Sequence, residues 1–298
     1  MEPEKLDEQF GIPGVMSFHR TPDGLVYAAI TTPAAAATVY LQGAHLAHWQ
    51  PTGERPVLFL SKKTELKPGK AIRGGVPISF PWFAVDKKTD RVDGKPGPSH
   101  GFARTQEWTL AFAAVMGEDL HLSFTLGPTE LSRRMGFDRF RMAFGLSIGR
   151  TLTMRLTVAN EGETPLIFEE ALHTYYAVED VRSTTVTGLE PTSYLDKAAG
   201  GVTVPAELEP ARFAGPTDRV YDHMESTCVI EDAGRKIIVE KDGSETTVVF
   251  NPWKAMADLG EEEWPNLLCV ETANANESLI TLAPGAGHTM TAKVRVEA

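Results

Sequence analysis

Two histidines lie in short segments whose neighbours could tune an imidazole or share a substrate with it. His100 lies in the run PSHGFAR at 98–104, and His173 lies in EEALHTYY at 169–176. Histidine is the side chain that can give or take a proton near neutral pH. Together with the carboxylates and arginines considered next, the two segments predict an enzyme that works by proton transfer.

Carboxylates accompany His173 in the sequence. Glu169 and Glu170 lie just upstream, and a carboxylate beside an imidazole raises its pKa, which favours the charged form that can serve as a general acid. The alternative is a buried structural histidine whose hydrogen bonds are satisfied. The surrounding cluster of carboxylates and tyrosines favours the functional interpretation.

Two further carboxylates are candidates for the same chemistry. Glu271 follows the apolar run LLCV at 267–270, and a carboxylate there is costly to bury unless it is paired or used. The alternative is an exposed glutamate at a strand end. Asp218 is followed by Arg219, so it is either a hydrogen-bond acceptor for a substrate or half of a structural ion pair, and the sequence leaves both open.

The run KAIRGGVPISFPWF at 70–83 is the longest distinctive stretch. The glycine pair at 74–75 lets the backbone approach a ligand closely. Trp82 and Phe83 offer flat faces that suit the C–H face of a sugar ring as well as a core. Arg73 is the charged group in the segment from 71 to 83, and it is either a ligand-binding group or a surface arginine on a packed loop.

A second arginine, Arg104, follows His100 by four residues. If this segment is extended, the two side chains point to the same face, because strand side chains repeat every two residues. Two arginines near one site can bind a phosphate through charge-assisted, bidentate hydrogen bonds. Arg73 and Arg104 therefore predict a phosphorylated substrate.

Metal and disulfide chemistry are not predicted. His45 and His48 are three apart but follow a strand-like run without a nearby acidic ligand, so we expect no metal there. Cys228 and Cys269 lack the spacing of a zinc site or a disulfide framework. We expect two reduced, buried thiols.

Composition limits the classes of partner. The chain has 298 residues, 42% of them hydrophobic, and a net charge of −11. This charge argues against nonspecific binding to nucleic acid or to anionic membranes, although a local arginine cluster can still bind an anion. The acidic N-terminus has no apolar segment of a signal peptide, and no apolar run approaches the roughly 18–20 residues of a membrane span. We expect a cytoplasmic protein.

Period-two alternation dominates the sequence and predicts half-buried strands. Lys241-Asp242-Gly243 predicts a hairpin turn, 283–287 predicts another turn, and 128–134 predicts a short helix that begins near Pro128. One large antiparallel β-sandwich spanning 1–298 fits these elements best. The strands are predicted at 120–126, 140–148, 152–158, 235–240, 244–250, 278–282 and 289–296.

The chain resembles a known family, the glucose-6-phosphate 1-epimerases of the aldose 1-epimerase, or galactose mutarotase-like, superfamily. The resemblance runs from about Gly43 to the C-terminus and rests on six motifs in the expected order. These motifs are IRGGVP at 72–77, SHGFAR at 99–104, ALHTY at 171–175, DRVY at 218–221, NPW at 251–253 and VETAN at 270–274.

The resemblance implies a β-sandwich of the supersandwich type and an enzyme that interconverts the α and β anomers of a hexose 6-phosphate, most naturally glucose 6-phosphate. By family role, Glu271 is the general base and His173 the general acid. Such acid–base chemistry needs no metal and no redox cofactor. The expected partner is the small-molecule hexose phosphate alone, without nucleic acid or membrane, and the expected state is a monomer.

The resemblance also assigns the substrate contacts. His100 and Asp218 hold the sugar hydroxyls or ring oxygen, and Arg73 and Arg104 bind the phosphate. The chain departs from the family at Thr272, where many relatives have proline, but the carboxylate before it is kept. The segment 86–98, rich in Lys, Asp and Gly, is expected to shape the rim of the site.

Three rival functions remain open on the sequence. One is an aldose 1-epimerase that acts on free sugars, which the two arginines argue against. Another is a non-catalytic carbohydrate-binding domain, which would not need Glu271 and His173 together. The third is a glycoside hydrolase with paired carboxylates, whereas the acid–base pair here consists of a glutamate and a histidine.

Overall fold

The structure is a computed structural model that describes residues 2–88, 92 and 94–298. Antiparallel strands make up most of it. The predicted rim segment 86–98 falls partly outside the described residues, at 89–91 and 93. Along the first half of the described chain the strands are β1 (Met16–Arg20), β2 (Val26–Thr31), β3 (Ala35–Tyr40), β4 (His45–Pro51), β5 (Ile78–Ser79), β6 (Thr109–Met116), β7 (Asp119–Leu126), β8 (Phe140–Ile148) and β9 (Leu152–Asn160).

The second half continues the pattern with many short strands. They are β10 (Leu166–Phe168), β11 (Glu170–Leu172), β12 (Tyr175–Ala177), β13 (Thr185–Thr187), β14 (Tyr194–Asp196), β15 (Val202–Val204), β16 (Ala211–Arg212), β17 (Thr217–Tyr221), β18 (Cys228–Asp232), β19 (Arg235–Asp242), β20 (Thr246–Asn251), β21 (Leu267–Asn274), β22 (Ile280–Leu282) and β23 (Gly287–Glu297).

Two large sheets pack face to face. The site sheet has the order β15-β14-β17-β20-β21-β11-β5, with β12 also paired to β21, and the backing sheet has the order β16-β13-β18-β19-β23-β9-β8-β7-β6. A smaller N-terminal sheet has the order β1-β2-β3-β4, and β10 pairs with β22. Side chains from both large sheets, such as Phe144 of β8 and Leu268 of β21, belong to one buried core cluster. The predicted antiparallel β-sandwich is confirmed.

The alternating segments of the sequence are strands of the backing sheet. Buried and partly exposed residues alternate along β7 without a break, and β8 and β9 alternate in the same way. Alternation arises because successive side chains of a strand point to opposite faces. One face of each strand therefore packs in the core between the sheets.

The predicted hairpin around Lys241-Asp242-Gly243 is wrong. Both flanking strands exist, but β19 pairs with β18 and β23 in the backing sheet, whereas β20 pairs with β17 and β21 in the site sheet. Gly243 has a positive φ of 66°, a backbone conformation that occurs both in hairpin turns and in other turns. A local turn signal does not reveal that the chain changes sheets there.

The turn at 283–287 is present but likewise connects two sheets. Gly285 has a φ of 75°, and Ala286 N–H donates to the Ala283 carbonyl (3.0 Å). The strand before the turn, β22, pairs with β10, and the strand after it, β23, joins the backing sheet. The predicted strand at 278–282 is shorter in the structure, because Asn276–Ser278 forms a 3₁₀ turn.

Helices are short. The one predicted at 128–134 is α2 (Glu130–Arg134), and the Thr129 side chain caps it by accepting from Ser132 N–H, so Pro128 lies before the helix. The helix α1 (Pro3–Phe10) buries Leu6 in the core and was not predicted. Further 3₁₀ turns lie at Ala103–Thr105 and Trp264–Asn266. Among the described residues, no helix is long and apolar enough to cross a membrane.

Candidate active site

A cavity of about 280 Å³ opens on the site sheet, on the face turned away from the main core. Its walls gather charged and aromatic side chains from separate parts of the chain. The polar lining consists of Arg73, Ser99, His100, Arg104, His173, Tyr175, Lys197, Asp218 and Glu271. Every residue predicted for the site therefore lies at this cavity except Trp82.

Strand register explains how residues far apart in sequence meet. Glu271 of β21 is paired with Val248 of β20, and Asp218 of β17 is paired with Phe250 of β20. Directly paired residues project from the same face of a sheet. Because Val248 and Phe250 are two apart on β20, both carboxylates reach the cavity face, separated by one strand.

The other face of β21 explains why this strand is fully buried. Leu268 and Val270 point into the main core, whereas Cys269 and Glu271 alternate with them toward the cavity side. Arg219, next to Asp218, takes the opposite face and stacks over Tyr194 (4.8 Å from Cζ to the ring centre). Asp218 is thus oriented toward the cavity and away from Arg219, which favours the substrate-acceptor interpretation over the ion pair.

His173 is fixed where β11 ends. Its backbone N–H donates to the Pro77 carbonyl (3.0 Å), and its ring stacks on Tyr175 with a centroid distance of 4.8 Å and an interplanar angle of 8°. Nε2 lies 3.4 Å from Oε1 of Glu271. The acidic partner of His173 is therefore Glu271, almost a hundred residues later in the chain.

Burial sets the protonation of this pair. It raises the pKa of the Glu271 carboxyl well above its ordinary value, and the charge of Asp218 adds to the rise. Burial also lowers the pKa of His173 well below 6.5, helped by His100, Arg104 and Arg73. Burial therefore favours a neutral imidazole and a protonated carboxyl in this pair, and the prediction that neighbouring carboxylates raise the pKa of His173 is wrong.

The carboxylates just upstream of His173 have other partners. Glu170 turns toward His288, whose Nε2 lies 3.2 Å away, and accepts from the Asn274 side chain (3.0 Å). Glu169 accepts from the backbone N–H groups of Phe83 and Asn276. Successive strand residues point to opposite faces. The carboxylates next to His173 in the sequence are therefore not its acidic partner in the fold.

The buried pair has unused hydrogen-bonding capacity. Among the described residues, Nδ1 of His173 and both carboxyl oxygens of Glu271 have no hydrogen-bond partner. Leaving buried polar atoms unpaired costs free energy. An arrangement of this kind fits a site whose partners are supplied by a hydroxylated ligand.

His100 occupies a tight turn rather than an extended segment. It has a φ of 61°, and a Cβ on the following Gly101 would lie 1.9 Å from the Phe80 carbonyl oxygen, so glycine is required there. Arg104 belongs to a 3₁₀ turn. The premise of an extended segment is therefore wrong, although both side chains line the cavity.

The hydrogen bonds of His100 define its tautomer. The Ala84 backbone N–H donates to Nδ1 (3.3 Å), so Nδ1 is unprotonated and the proton of the neutral ring is on Nε2. Burial, with the charges of Arg104, Arg73 and Lys197, lowers the pKa of His100 to about 3. His100 is therefore a neutral side chain with one N–H available as a donor.

The two predicted arginines are both partly buried at the cavity. Arg104 donates from Nη2 to the Ser99 carbonyl (2.7 Å). Arg73 donates from Nη1 to the Tyr175 hydroxyl (2.8 Å) and pairs through Nη2 with Asp258 (3.1 Å). Among the described residues, Nε of each arginine is buried without a partner.

The glycines after Arg73 serve the fold rather than a ligand. A Cβ on Gly74 would lie 2.4 Å from the Phe59 carbonyl oxygen, and a Cβ on Gly75 would lie 2.4 Å from that of Leu46. The chain therefore passes too close to its own backbone for any side chain at these positions. The two glycines are thus explained by close packing against the protein's own backbone, which holds Arg73 in place, and not by the predicted approach to a ligand.

Trp82 does not reach the cavity and was wrongly predicted to bind sugar. Its ring is 5% exposed and packs against Phe102 and Phe137, and its Nε1–H donates to the Pro98 carbonyl (2.9 Å). Phe83, the alternative in the same segment, lines the cavity instead.

Sequence reasoning missed Lys197, Tyr175 and Asp258 as members of the site. Lys197 follows β14, donates its backbone N–H to the Asp218 carbonyl (2.8 Å) and places Nζ 5.1 Å from the centre of the Phe83 ring. The sequence carries no pattern that distinguishes this lysine from the other lysines. Tyr175 follows His173 by two residues, and that spacing was the available signal.

One group of side chains could hold a metal ion. The ligand atoms of His173, Cys269 and Glu271 all lie within 4.8 Å of one another. Imidazole, thiolate and carboxylate together are a donor set that zinc accepts. Burial raises the pKa of the Cys269 thiol well above its ordinary value, so metal binding has to displace a proton from it.

The chain is similar to known proteins over most of its length. The profile of the aldose 1-epimerase family matches residues 28–295. A protein of Escherichia coli K12, provisionally named a glucose-6-phosphate 1-epimerase, is 34% identical over 265 residues, covering 87% of this chain and 86% of its own. A protein of Cenchrus ciliaris with the same provisional name is 33% identical over 282 residues, covering 89% and 83%.

A solved structure supports the same relationship. The crystal structure of a provisionally assigned mutarotase from Salmonella typhimurium superposes with a TM-score of 0.88 at 30% identity, covering 96% of this chain and 95% of that one. Family profile, relatives and fold agree over nearly the whole length. The chain therefore belongs to the aldose 1-epimerase family.

Proposed function

We propose that this protein interconverts the α and β anomers of a hexose 6-phosphate, with glucose 6-phosphate as the preferred substrate. The observation that carries the proposal is one cavity that holds the His173–Glu271 pair together with Arg73 and Arg104. The provisional names of the relatives from Escherichia coli and Cenchrus ciliaris agree with it.

Anomerisation requires two proton transfers at one ring. A base removes the proton of the C1 hydroxyl, an acid protonates the ring oxygen, and the C1–O5 bond breaks to give the open-chain aldehyde. Rotation about C1–C2 followed by the reverse transfers closes the ring as the other anomer. No atom is gained or lost, and each positioned acid or base contributes about 10²- to 10⁴-fold in rate.

The His173–Glu271 pair has the proton content for this reaction. The raised pKa of Glu271 favours a protonated carboxyl, and transfer of that proton from Oε1 to Nε2 of His173, 3.4 Å away, gives a carboxylate base and an imidazolium acid. We assign Glu271 as the base toward the C1 hydroxyl and His173 as the acid toward the ring oxygen. After ring opening the proton is back on Glu271, so the same pair performs ring closure with the roles reversed.

His100 and Asp218 fit a role in holding the sugar. His100 offers one neutral N–H donor, as its tautomer requires. Asp218 offers carboxylate oxygens from the neighbouring strand β17, and burial raises its pKa above the ordinary value although Lys197 opposes the rise. One donor and one acceptor on the cavity face suit a ring bearing hydroxyl groups.

The basic side chains fit the phosphate. Arg73 and Arg104 each keep a buried Nε–H without a partner among the described residues, and guanidinium groups match phosphate oxygens in geometry. Lys197 adds a third positive charge to the lining. For this reason we favour a phosphorylated sugar over a free one in a protein whose net charge is −11.

The phosphate assignment is tested by removing each arginine. Arg73→Ala and Arg104→Ala should each raise KM for glucose 6-phosphate by about 10- to 100-fold, because a charge-assisted hydrogen bond is worth about 1.5–3 kcal/mol. KM for free glucose should change far less. Both values come from following anomer exchange by NMR or by a coupled, anomer-specific dehydrogenase.

The matched control is Arg141→Ala, an arginine of the backing sheet whose side chain is 66% exposed and paired with Glu161. It should leave both KM values unchanged. Equal losses for glucose and glucose 6-phosphate in the cavity variants would remove the phosphate assignment and favour an epimerase of free sugars. Sugar binding without any anomer exchange would favour a carbohydrate-binding protein instead.

A further inference from the structure

Arg73 has an anionic partner within the protein itself. Its Nη2 lies 3.1 Å from Oδ2 of Asp258, and the two side chains are 21% and 35% exposed. Its Nη1 donates to the Tyr175 hydroxyl. A guanidinium group has five N–H donors. In Arg73, at least one of them is directed at a carboxylate of the protein itself.

Asp258 is presented by a turn that the core holds in place. Met256 N–H donates to the Leu259 carbonyl (3.0 Å), and Leu259 N–H donates to that of Met256 (3.2 Å). Leu259 is 1% exposed and packs in a small cluster with Phe59 and Tyr175. Met256, at the other end of the turn, lines the cavity, so the turn places Asp258 next to the cavity-lining Arg73.

The loop that carries this turn is also tied to the segment just before Arg73. Glu263 accepts from the Ser61 hydroxyl and from the Lys62 backbone N–H, both at 2.7 Å. Ser61 N–H in turn donates to the Arg73 carbonyl (3.0 Å). The carboxylate of Asp258 and the guanidinium of Arg73 are thus held on one connected framework.

The charge of Asp258 reaches beyond Arg73. Burial lowers the pKa of Arg104, Arg73 lowers it further, and the charges of Tyr175 and Asp258 act in the opposite direction. A single carboxylate therefore acts on both arginines that we assign to the phosphate. It lies where a bound anion would act on the same two groups.

We propose that Asp258 is an internal counter-ion that competes with the phosphate of the substrate for Arg73 and thereby limits the affinity of the site for phosphorylated sugars. This proposal rests on the proposed function of the same site. Phosphate binding at Arg73 either displaces the Asp258 carboxylate or brings two negative charges close together. In both cases the carboxylate weakens phosphate binding, and its removal strengthens it.

The test is Asp258→Asn, which keeps the size of the side chain and one oxygen acceptor for Arg73 while removing the charge. The dissociation constant of inorganic phosphate, measured by calorimetry, should fall about three- to tenfold, the range expected for a partly exposed ion pair. KM for glucose 6-phosphate should fall by a similar factor relative to KM for glucose. The gain should shrink at high salt, because salt screens such charges.

Glu261→Gln is the matched control, since Glu261 is an exposed carboxylate of the same loop. It removes the same charge and should change phosphate affinity by less than twofold. Asp258→Ala is the second variant. If Asp258 competes with phosphate, alanine also strengthens binding, whereas a residue that merely positions Arg73 would make the alanine variant bind more weakly.

Weaker or unchanged phosphate binding in Asp258→Asn overturns the proposal, as does an equal gain in Glu261→Gln. Failure of the wild type to bind inorganic phosphate overturns it as well. Failure of the proposed function has a different signature. In that case the wild type shows no anomer exchange of glucose 6-phosphate, while tighter binding of inorganic phosphate by Asp258→Asn is still measurable.

Discussion

At the scale of single residues, burial decides the chemistry of the site more than sequence neighbours do. His173 and Glu271 are both nearly inaccessible, at 6% and 1% exposure. A buried site disfavours the charged form of each group. The shared proton is therefore favoured on the Glu271 carboxyl, next to a neutral His173. Substrate hydroxyls that hydrogen-bond to the charged forms would favour the ion pair that we assign to catalysis.

The protonation of His173 and Glu271 predicts how kcat depends on pH. The pair becomes inactive when it takes up a second proton on His173 or loses its single proton from Glu271. Since burial lowers the pKa of His173 well below 6.5 and raises that of Glu271, kcat should not fall as the pH is lowered through 6.5. The measurement is kcat for glucose 6-phosphate at saturating substrate from pH 5.5 to 8, corrected for spontaneous exchange.

A half-loss of kcat as the pH is lowered through about 6.5 would contradict this protonation state, because it would report an ordinary histidine. KM is less informative in this range, since the phosphate of the substrate itself titrates near pH 6. Free glucose serves as the control substrate, because it carries no such group.

Residue types and motif order were enough to predict most of the site. Arg73, His100, Arg104, His173, Asp218 and Glu271 were all predicted, and all line the cavity. The pKa direction of His173 was not predictable, because Glu169 and Glu170 turn to other partners. Asp258 and Lys197 were not predictable either, since each becomes part of the site only through the fold.

At the scale of elements, β21 contributes side chains both to the hydrophobic core and to the cavity. Its eight residues are all buried, with Leu268 and Val270 toward the backing sheet and Glu271 toward the cavity. The sequence LLCVETAN reads as a continuous apolar run before the carboxylate, a pattern of strands that are covered on both faces. What the pattern could not show was which neighbouring strand carries Asp218.

The connections between elements were less predictable than the strands themselves. Asp242-Gly243 and Pro284-Gly285 mark turns correctly, but each turn carries the chain from one sheet to a different sheet. Turn chemistry specifies local backbone angles, whereas sheet membership depends on long-range pairing. This is why the strands before and after each turn were found and the predicted hairpin was not.

An ion pair between the partly exposed His288 and the buried Glu170 predicts how stability depends on pH. His288 of β23 contacts Glu170 of β11, and this hydrogen bond raises the pKa of His288 although burial opposes the rise. A folded-state pKa above the unfolded value contributes stability that is present below about pH 6.5 and is lost as pH rises through the folded value.

His288→Gln should therefore lower Tm more at pH 5.5 than at pH 8.5, by about 2 °C or more. The measurement is thermal unfolding followed by circular dichroism at both pH values. His121→Gln, a histidine of β7 in the backing sheet, is the control and should lower Tm equally at both. A larger loss at pH 8.5 than at pH 5.5 for His288→Gln would contradict the assigned direction.

At the scale of the whole molecule, an acidic protein concentrates positive charge in one cavity. The net charge is −11, yet Arg73, Arg104 and Lys197 share the lining of the site. Field lines focus in clefts of one sign, so an anionic sugar is attracted locally while the surface as a whole repels polyanions. The sandwich makes this possible by bringing together polar side chains from six separate segments, at 73, 99–104, 173–175, 197, 218 and 271.

The most direct test of the account is the exchange of glucose 6-phosphate anomers, followed by NMR, in the wild type and in Glu271→Gln and His173→Asn. The wild type should accelerate exchange well above the spontaneous rate. Each variant should lose at least about 100-fold in kcat while its circular dichroism spectrum stays unchanged. A rate near that of the wild type in either folded variant, or no acceleration by the wild type, would contradict the central claim.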